Sequence, residues 1–108
     1  MSLKLNYNGT PYVLEYNRKS VQRMEQNGFN IEKVSDAPMT MLPELFAGAF
    51  LANHKFVKRS LIDEIFDAVP NRMELMNKLA EMYAEPYATL MNNEVDEANQ
   101  GKVTWEET

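Results

Sequence analysis

Residues 3–31, LKLNYNGTPYVLEYNRKSVQRMEQNGFNI, decide the start of the fold. Apolar and polar residues alternate from Leu3 to Tyr7, which is the period of a half-buried β-strand. Asn8-Gly9 is a strong signal for a two-residue hairpin turn, because both residues tolerate positive φ. That turn would pair Tyr7 with Thr10, Leu5 with Tyr12 and Leu3 with Leu14, and these apolar residues would then fall on one face.

The hairpin is followed directly by a short capped helix. Asn17 is a good N-cap for a helix from about Arg18 to Gln26, and Asn27-Gly28 supplies a left-handed stop.

Pro11 falls opposite Asn6, at a non-hydrogen-bonded position, which marks the second strand as a sheet edge. We therefore predict a possible self-association edge there, formed by Tyr12, Leu14 and Tyr16.

The rest of the chain has helical periodicity. We predict a second helix from Met41 to Phe56 with Pro43 in its first turn, and a third helix that Ser60 and Asp63 would cap. A last helix is predicted from Arg72 to about Met91, kinked or broken at Pro86. Two short segments, 31–34 and 102–105, are possible third strands.

The predicted fold class is thus α+β, mainly α: an N-terminal hairpin, three or four helices, and an acidic, mobile tail. Up to Asn93 the chain has ten basic and eleven acidic residues, whereas the remainder has five acidic residues and one basic residue. We predict a hairpin plus helical domain at 1–92 and a tail at 93–108. An acidic tail repels phosphates, so nucleic acid is not expected as a ligand.

Composition and motifs argue against an enzymatic function. The 108 residues contain no cysteine and one histidine, His54, so disulfides and cysteine zinc sites are excluded. No catalytic triad, phosphate loop or dinucleotide motif is present. Asp63, Glu64 and Asp67 cluster on one helix, but a solvated face is the favoured interpretation. We expect no enzyme activity, cofactor or metal, and no signal peptide or membrane span.

Methionine is the most suggestive residue type, with eight in the chain. Thioether side chains adapt to irregular partners, although they also serve as core filler, which is the more common use. Tyrosine is common in interfaces. These two residue types, with the lone tryptophan, give a predicted protein-binding set: Met73, Met76, Met82, Tyr83, Tyr87 and Trp105.

Three stretches give the chain a family resemblance: YNGTPYVLEYNRKSVQRMEQNGFNI (7–31), LPELFAGAF (42–50) and LIDEIFDAV (61–69). With the methionine-rich last helix and the acidic tail, their layout resembles tail assembly chaperones of long, non-contractile-tailed phages or prophages of Gram-positive bacteria. That resemblance covers most of the chain.

The resemblance implies a non-enzymatic protein of the host bacterial cytoplasm that is absent from the mature virion. It implies binding and solubilising of the tape-measure protein, recruitment of tail-tube subunits, and homo-oligomers. The residues by themselves also leave two other functions open. One is a structural phage connector or tail-completion protein, and the other is a small adaptor that inhibits a host protein.

Overall fold

The computed structural model describes residues 2–90 and Glu106. Two strands are followed by four α-helices, which confirms the predicted fold class: β1 (Ser2–Tyr7), β2 (Thr10–Glu15), α1 (Arg18–Gln26), α2 (Pro38–Gly48), α3 (Arg59–Ala68) and α4 (Arg72–Leu90). A 3₁₀ helix, Ile31–Lys33, precedes α2, so the prediction of a strand at 31–34 is wrong. The other possible strand, 102–105, and the tail domain lie outside the described residues.

The hairpin forms in the predicted register. β1 and β2 are antiparallel, with Tyr7 opposite Thr10, Leu5 opposite Tyr12, Leu3 opposite Leu14, and Pro11 opposite Asn6. Asn8 and Gly9 have φ of 50° and 83°, the positive values that this turn requires. Local turn chemistry and apolar alternation therefore fix the register together.

Helix α1 has both predicted caps. The Asn17 side chain accepts from the Ser20 backbone N–H at 2.8 Å, and the Ser20 hydroxyl accepts from the Asn17 N–H at 2.9 Å. At the other end Gly28 has φ of 96°, and the Phe29 N–H donates to the Met24 carbonyl at 2.9 Å. This is the Schellman arrangement, and it turns Phe29 back into the core.

Helix α2 differs from the prediction at both ends. It begins at Pro38 because proline suits the first helical position, and it ends at Gly48, eight residues before the predicted end at Phe56. Pro43 consequently lies inside the helix. Residues 49–57 continue as hydrogen-bonded turns, in which Ala49 and Phe50 stay buried while Phe56 is 89% exposed.

Helices α3 and α4 are close to their predicted extents. The predicted Ser60–Asp63 capping box is wrong, because α3 begins at Arg59, whose guanidinium bonds to Asp63 at 2.8 Å and to Glu44 of α2 at 2.8 Å. Helix α4 continues through Pro86 to Leu90, so the proline does not break it.

One hydrophobic core joins the hairpin to the helices. Its most enclosed side chains come from β2, α2, the turn after α2, α3 and α4: Leu14, Leu45, Phe46, Phe50, Ile65, Leu79, Met82 and Tyr83. The rings interlock edge to face, with Tyr16 and Phe29 each 5.3 Å from Tyr83. No helix in the described part of the chain is long and apolar enough to cross a membrane.

The turns after α2 cover the outer edge of β2. The Val13 N–H donates to His54 Nε2 at 2.9 Å, and the Asn53 amide donates to the Val13 carbonyl at 3.3 Å. The Glu15 N–H donates to the Ala49 carbonyl at 3.1 Å. Residues 49–54, the edge loop, thus satisfy the backbone groups that a neighbouring strand would otherwise take.

Replacing His54 by alanine tests the edge loop. His54→Ala removes the acceptor of the Val13 N–H, a loss of about 1 kcal/mol, and amide exchange at Val13 should rise by about fivefold as that free energy implies. Hydrogen exchange measured by NMR reads this out. Lys55→Ala, a substitution at the exposed neighbouring residue, is the control and should leave Val13 protected. Unchanged exchange at Val13 in His54→Ala would contradict the assignment.

Tyr16 ties β2 to the end of α2. Its buried hydroxyl donates to the Leu45 carbonyl at 2.6 Å. Leu45 lies in the last turn of α2, where its carbonyl would ordinarily accept from the Ala49 N–H. That N–H bonds to the Phe46 carbonyl, which leaves the Leu45 carbonyl to Tyr16. Burial, with a smaller contribution from Tyr83, raises the pKa of Tyr16 well above its ordinary value. The folded state therefore holds this proton more tightly than the unfolded chain does.

Tyr16→Phe should lower the free energy of unfolding by about 1–3 kcal/mol near neutral pH, since the Leu45 carbonyl loses its donor. The raised pKa means that the contribution of Tyr16 is complete below the unfolded pKa and is lost as the pH rises beyond it. The difference between wild type and variant should therefore shrink above about pH 10. Urea unfolding across the alkaline range measures it, and a constant difference would contradict the assignment.

Candidate protein-binding surface

The predicted binding residues of α4 do not share one surface. Met76, Met82 and Tyr83 are buried in the core, whereas Met73 is 79% exposed and Tyr87 is 39% exposed. Trp105 lies outside the described residues. Apolar periodicity on α4 therefore identified core residues for the most part, which was the alternative interpretation of the methionines.

The predicted self-association edge is occupied within the protomer. Tyr12, Leu14 and Tyr16 have buried side chains, at 8%, 0% and 6% exposure. The edge loop also takes the outward backbone groups of Val13 and Glu15. Pairing between subunits along β2 would require this loop to leave, whereas in the described part of the chain no strand pairs with the outer edge of β1.

Among the residues that the structure describes, the most exposed large apolar side chain lies on α2. Met39, the second residue of that helix, is 91% exposed. It borders a groove of about 530 Å³, which we call the α2–α3 groove, lined by Pro38, Met39, Leu42, Pro43, Arg59, Asp63, Phe66, Asp67 and Arg72. Leu42 and Phe66 are half-buried and form its apolar floor.

The floor of the groove is anchored to the core. Phe66 packs against the fully buried Phe46, with ring centroids 5.3 Å apart. The Arg72 guanidinium lies over the Phe66 ring at 5.0 Å and donates to the Asp67 carbonyl at 2.9 Å. These two contacts hold the Phe66 ring in place, which gives an apolar partner a preformed surface.

Charged side chains form the rim. Arg59 bridges Glu44 and Asp63 at 2.8 Å each, and the hydrogen bond to Glu44 is the main cause that raises its pKa. Pro43 has no N–H to donate to the Met39 carbonyl four residues earlier, so that helical bond is missing at the groove. An apolar centre with a polar rim is the usual composition of a protein interface.

A second, smaller cleft of about 240 Å³ lies between α1 and α4. Tyr87 and the half-exposed Leu90 border it on α4. The Tyr87 hydroxyl bonds to the Glu25 carboxylate of α1 and lies 3.3 Å from the Tyr83 hydroxyl. Desolvation, followed by the bond to Glu25, raises the pKa of Tyr87. These bonds hold α1 against α4, which gives Tyr87 a structural role.

The acidic cluster of α3 is engaged elsewhere. Asp63 pairs with Arg59, and Glu64 accepts a hydrogen bond from the Tyr7 hydroxyl at 3.0 Å. Within residues 2–90 no group of three or more histidine or acidic side chains is placed to hold a metal ion.

Sequence reasoning missed Met39 as a surface residue. The available signal was Pro38, which suits a first helical position and places Met39 on the exposed first turn. Starting the predicted helix at Met41, with Pro43 in its first turn, hid that signal.

The chain belongs to the family described as "Domain of unknown function (DUF5055)", whose model matches residues 1–107. No curated protein matches the chain significantly. No solved structure does so either.

Proposed function

We propose that this protein is a non-enzymatic phage tail assembly chaperone, which binds apolar helical segments of a tape-measure protein and keeps them soluble. The resemblance in layout and sequence described above supports the identity of the client. The single structural observation that supports binding is Met39, which is almost fully exposed at the edge of an apolar groove.

The chemistry of the α2–α3 groove suits an amphipathic helix. Such a helix presents apolar side chains three and four residues apart, and these would lie against Leu42 and Phe66. Met39 would close over the bound side chain, because its unbranched thioether adapts to different shapes. Burial of apolar surface contributes about 25 cal/mol per Å², so each apolar residue of the client that is buried in the groove adds to the binding free energy.

The rim would set the orientation of the client without demanding one sequence. Arg59 and Arg72 offer donors on one side, while Asp63 and Asp67 offer acceptors. Exposed ion pairs contribute at most about 1 kcal/mol each, so apolar contact would dominate the affinity. This balance suits a chaperone that binds many segments of a long client and later releases them.

By the same proposal, the protein acts in the host bacterial cytoplasm, several copies coat one client, and the complex recruits tail-tube subunits. It leaves before the virion is complete. A structural connector would instead remain in the particle, so mass spectrometry of purified virions distinguishes these two functions.

Co-expression with the long helical protein encoded next to this one tests the proposal. We expect the client to be soluble only when this protein is present, and the two to co-elute with several copies per client. Size-exclusion chromatography with light scattering measures both. A client that is soluble alone and elutes separately would contradict the function.

Two matched substitutions test the site. Met39 and Met73 are both exposed and both stand second in a helix, α2 and α4 respectively, where aspartate is favourable to the helix dipole. Met39→Asp should reduce the soluble client by about tenfold, which corresponds to about 1.4 kcal/mol. Met73→Asp, outside the groove lining, should retain wild-type solubilisation. Equal loss in both variants would exclude the groove while leaving the function open.

A further inference from the structure

Phe56 is an exposed aromatic side chain that the proposed function leaves without a role. It lies in the connection between α2 and α3, within residues 55–58, which we call the Phe56 turn, and it is 89% exposed. Lys55 Nζ lies over the ring at 5.3 Å, and Lys58 is exposed two residues further on. Aromatic side chains are enriched in protein interfaces, so this turn is a candidate for contact with a partner.

The backbone of the Phe56 turn is fixed by the fold. The His54 N–H donates to the Phe50 carbonyl at 2.7 Å, and the Val57 N–H donates to the His54 carbonyl at 3.1 Å. Val57 is half-buried and packs against the hydrophobic core. A partner would therefore meet Phe56 on a backbone that is already ordered, which lowers the entropy cost of binding.

The α2–α3 groove begins beside this turn. Arg59 lines the groove and follows Lys58 directly in the chain. Phe56 is exposed and does not line the groove, so it does not fill the groove of its own chain. The turn and the groove are thus neighbouring surfaces of one copy, and a second copy can engage both at once.

The two surfaces carry opposite net charge. The Phe56 turn has two positive charges, on Lys55 and Lys58. Three carboxylates and two guanidinium groups surround the groove, for a net charge of −1: Glu44, Asp63, Asp67, Arg59 and Arg72. Arg72 donates to the backbone carbonyl of Asp67, and in the described part of the chain the Asp67 carboxylate has no ion-pair partner. That carboxylate is therefore available to a lysine of another copy.

We propose that a second copy of this chain inserts its Phe56 into the α2–α3 groove, so that the free protein is a dimer with both grooves covered. The inserted ring would lie on Leu42 and Phe66. The Met39 thioether would contact the edge of the ring, which is a favourable sulfur–aromatic arrangement. Reciprocal insertion gives a closed twofold dimer, the commonest form of homo-oligomer.

The dimer would regulate access to the groove. A client helix and the Phe56 ring of the second copy would compete for Leu42 and Phe66, so the apolar surface stays covered until a client displaces the ring. This regulation rests on the proposed function, whereas the dimer itself does not. The dimer is measured on the free protein, so a monomer that still solubilises the client would overturn the dimer alone.

Light scattering after size-exclusion chromatography tests the dimer. Full-length wild type at about 100 μM, well above a micromolar Kd, should have twice the mass of one chain. Phe56→Ser should have the mass of one chain. Met73→Ser, which removes an exposed side chain outside the turn and the groove, is the matched control and should dimerise as wild type does. A monomeric wild type or a dimeric Phe56→Ser would overturn the proposal.

A mixing experiment tests which surface receives the ring. Phe56→Ser keeps the groove and loses the ring, whereas Met39→Asp keeps the ring and loses the edge of the groove. Both side chains are almost fully exposed, so neither substitution should disturb the fold. Each variant alone lacks one half of every contact. A mixed pair has one intact contact, in which Phe56 of the Met39→Asp chain lies in the groove of the Phe56→Ser chain.

NMR of the methionine methyl groups measures the mixture. Full-length Phe56→Ser labelled at methionine is titrated with unlabelled Met39→Asp, and the Met39 signal should move while the Met73 signal stays unchanged. The double variant Phe56→Ser/Met39→Asp lacks the ring and is the matched titrant, which should move neither signal. An unmoved Met39 signal with the first titrant would overturn the proposal, and so would equal movement with both titrants.

Discussion

The hydrogen bonds between the edge loop and β2 are the interaction on which the rest of the structure depends. A two-stranded hairpin is marginal in water by itself. Here Ala49, Asn53 and His54 bond to the outer side of β2, while Leu14 and Tyr16 pack beneath it against the helices. The hairpin is thereby held on one edge and one face, and no strand among the described residues pairs with the outer edge of β1.

This constraint also explains where α2 ends. The chain leaves the helix at Gly48, the following turns reach β2, and a side chain at this position would have to displace the end of the flexible Met24 side chain. A Cβ atom at Gly48 would lie 2.3 Å from the Met24 thioether of α1. At its other end α2 starts at Pro38, which leaves Met39 at the edge of the α2–α3 groove.

Features governed by neighbouring residues could be predicted from the sequence. The turn at Asn8-Gly9 and the caps at Asn17 and Gly28 depend on backbone conformation within a few residues, and all three were correct. The end of α2 could not be predicted in this way. Its apolar pattern runs on through Phe50, and the partners of Asn53 and His54 lie about forty residues earlier in the chain.

The binding surface was harder to predict for a related reason. Periodicity identifies the apolar face of a helix but not what covers it, so Met76 and Met82 looked like candidates although they belong to the core. Met39 and Met73 differ from them in that no element of the described part of the chain packs above them. The hydrophobic effect favours the same apolar residue types in a core and in an interface. The sequence pattern alone therefore cannot separate core positions from interface positions, whereas the fold can.

NMR of the methionine methyl groups tests the central claim most directly, which is that the α2–α3 groove binds the apolar client. The spectrum of the protein labelled at methionine would be recorded free and in complex with the tape-measure protein. The account predicts a large change at Met39 and little change at the buried Met76 and Met82. A complex that forms while the Met39 signal stays unchanged would contradict it.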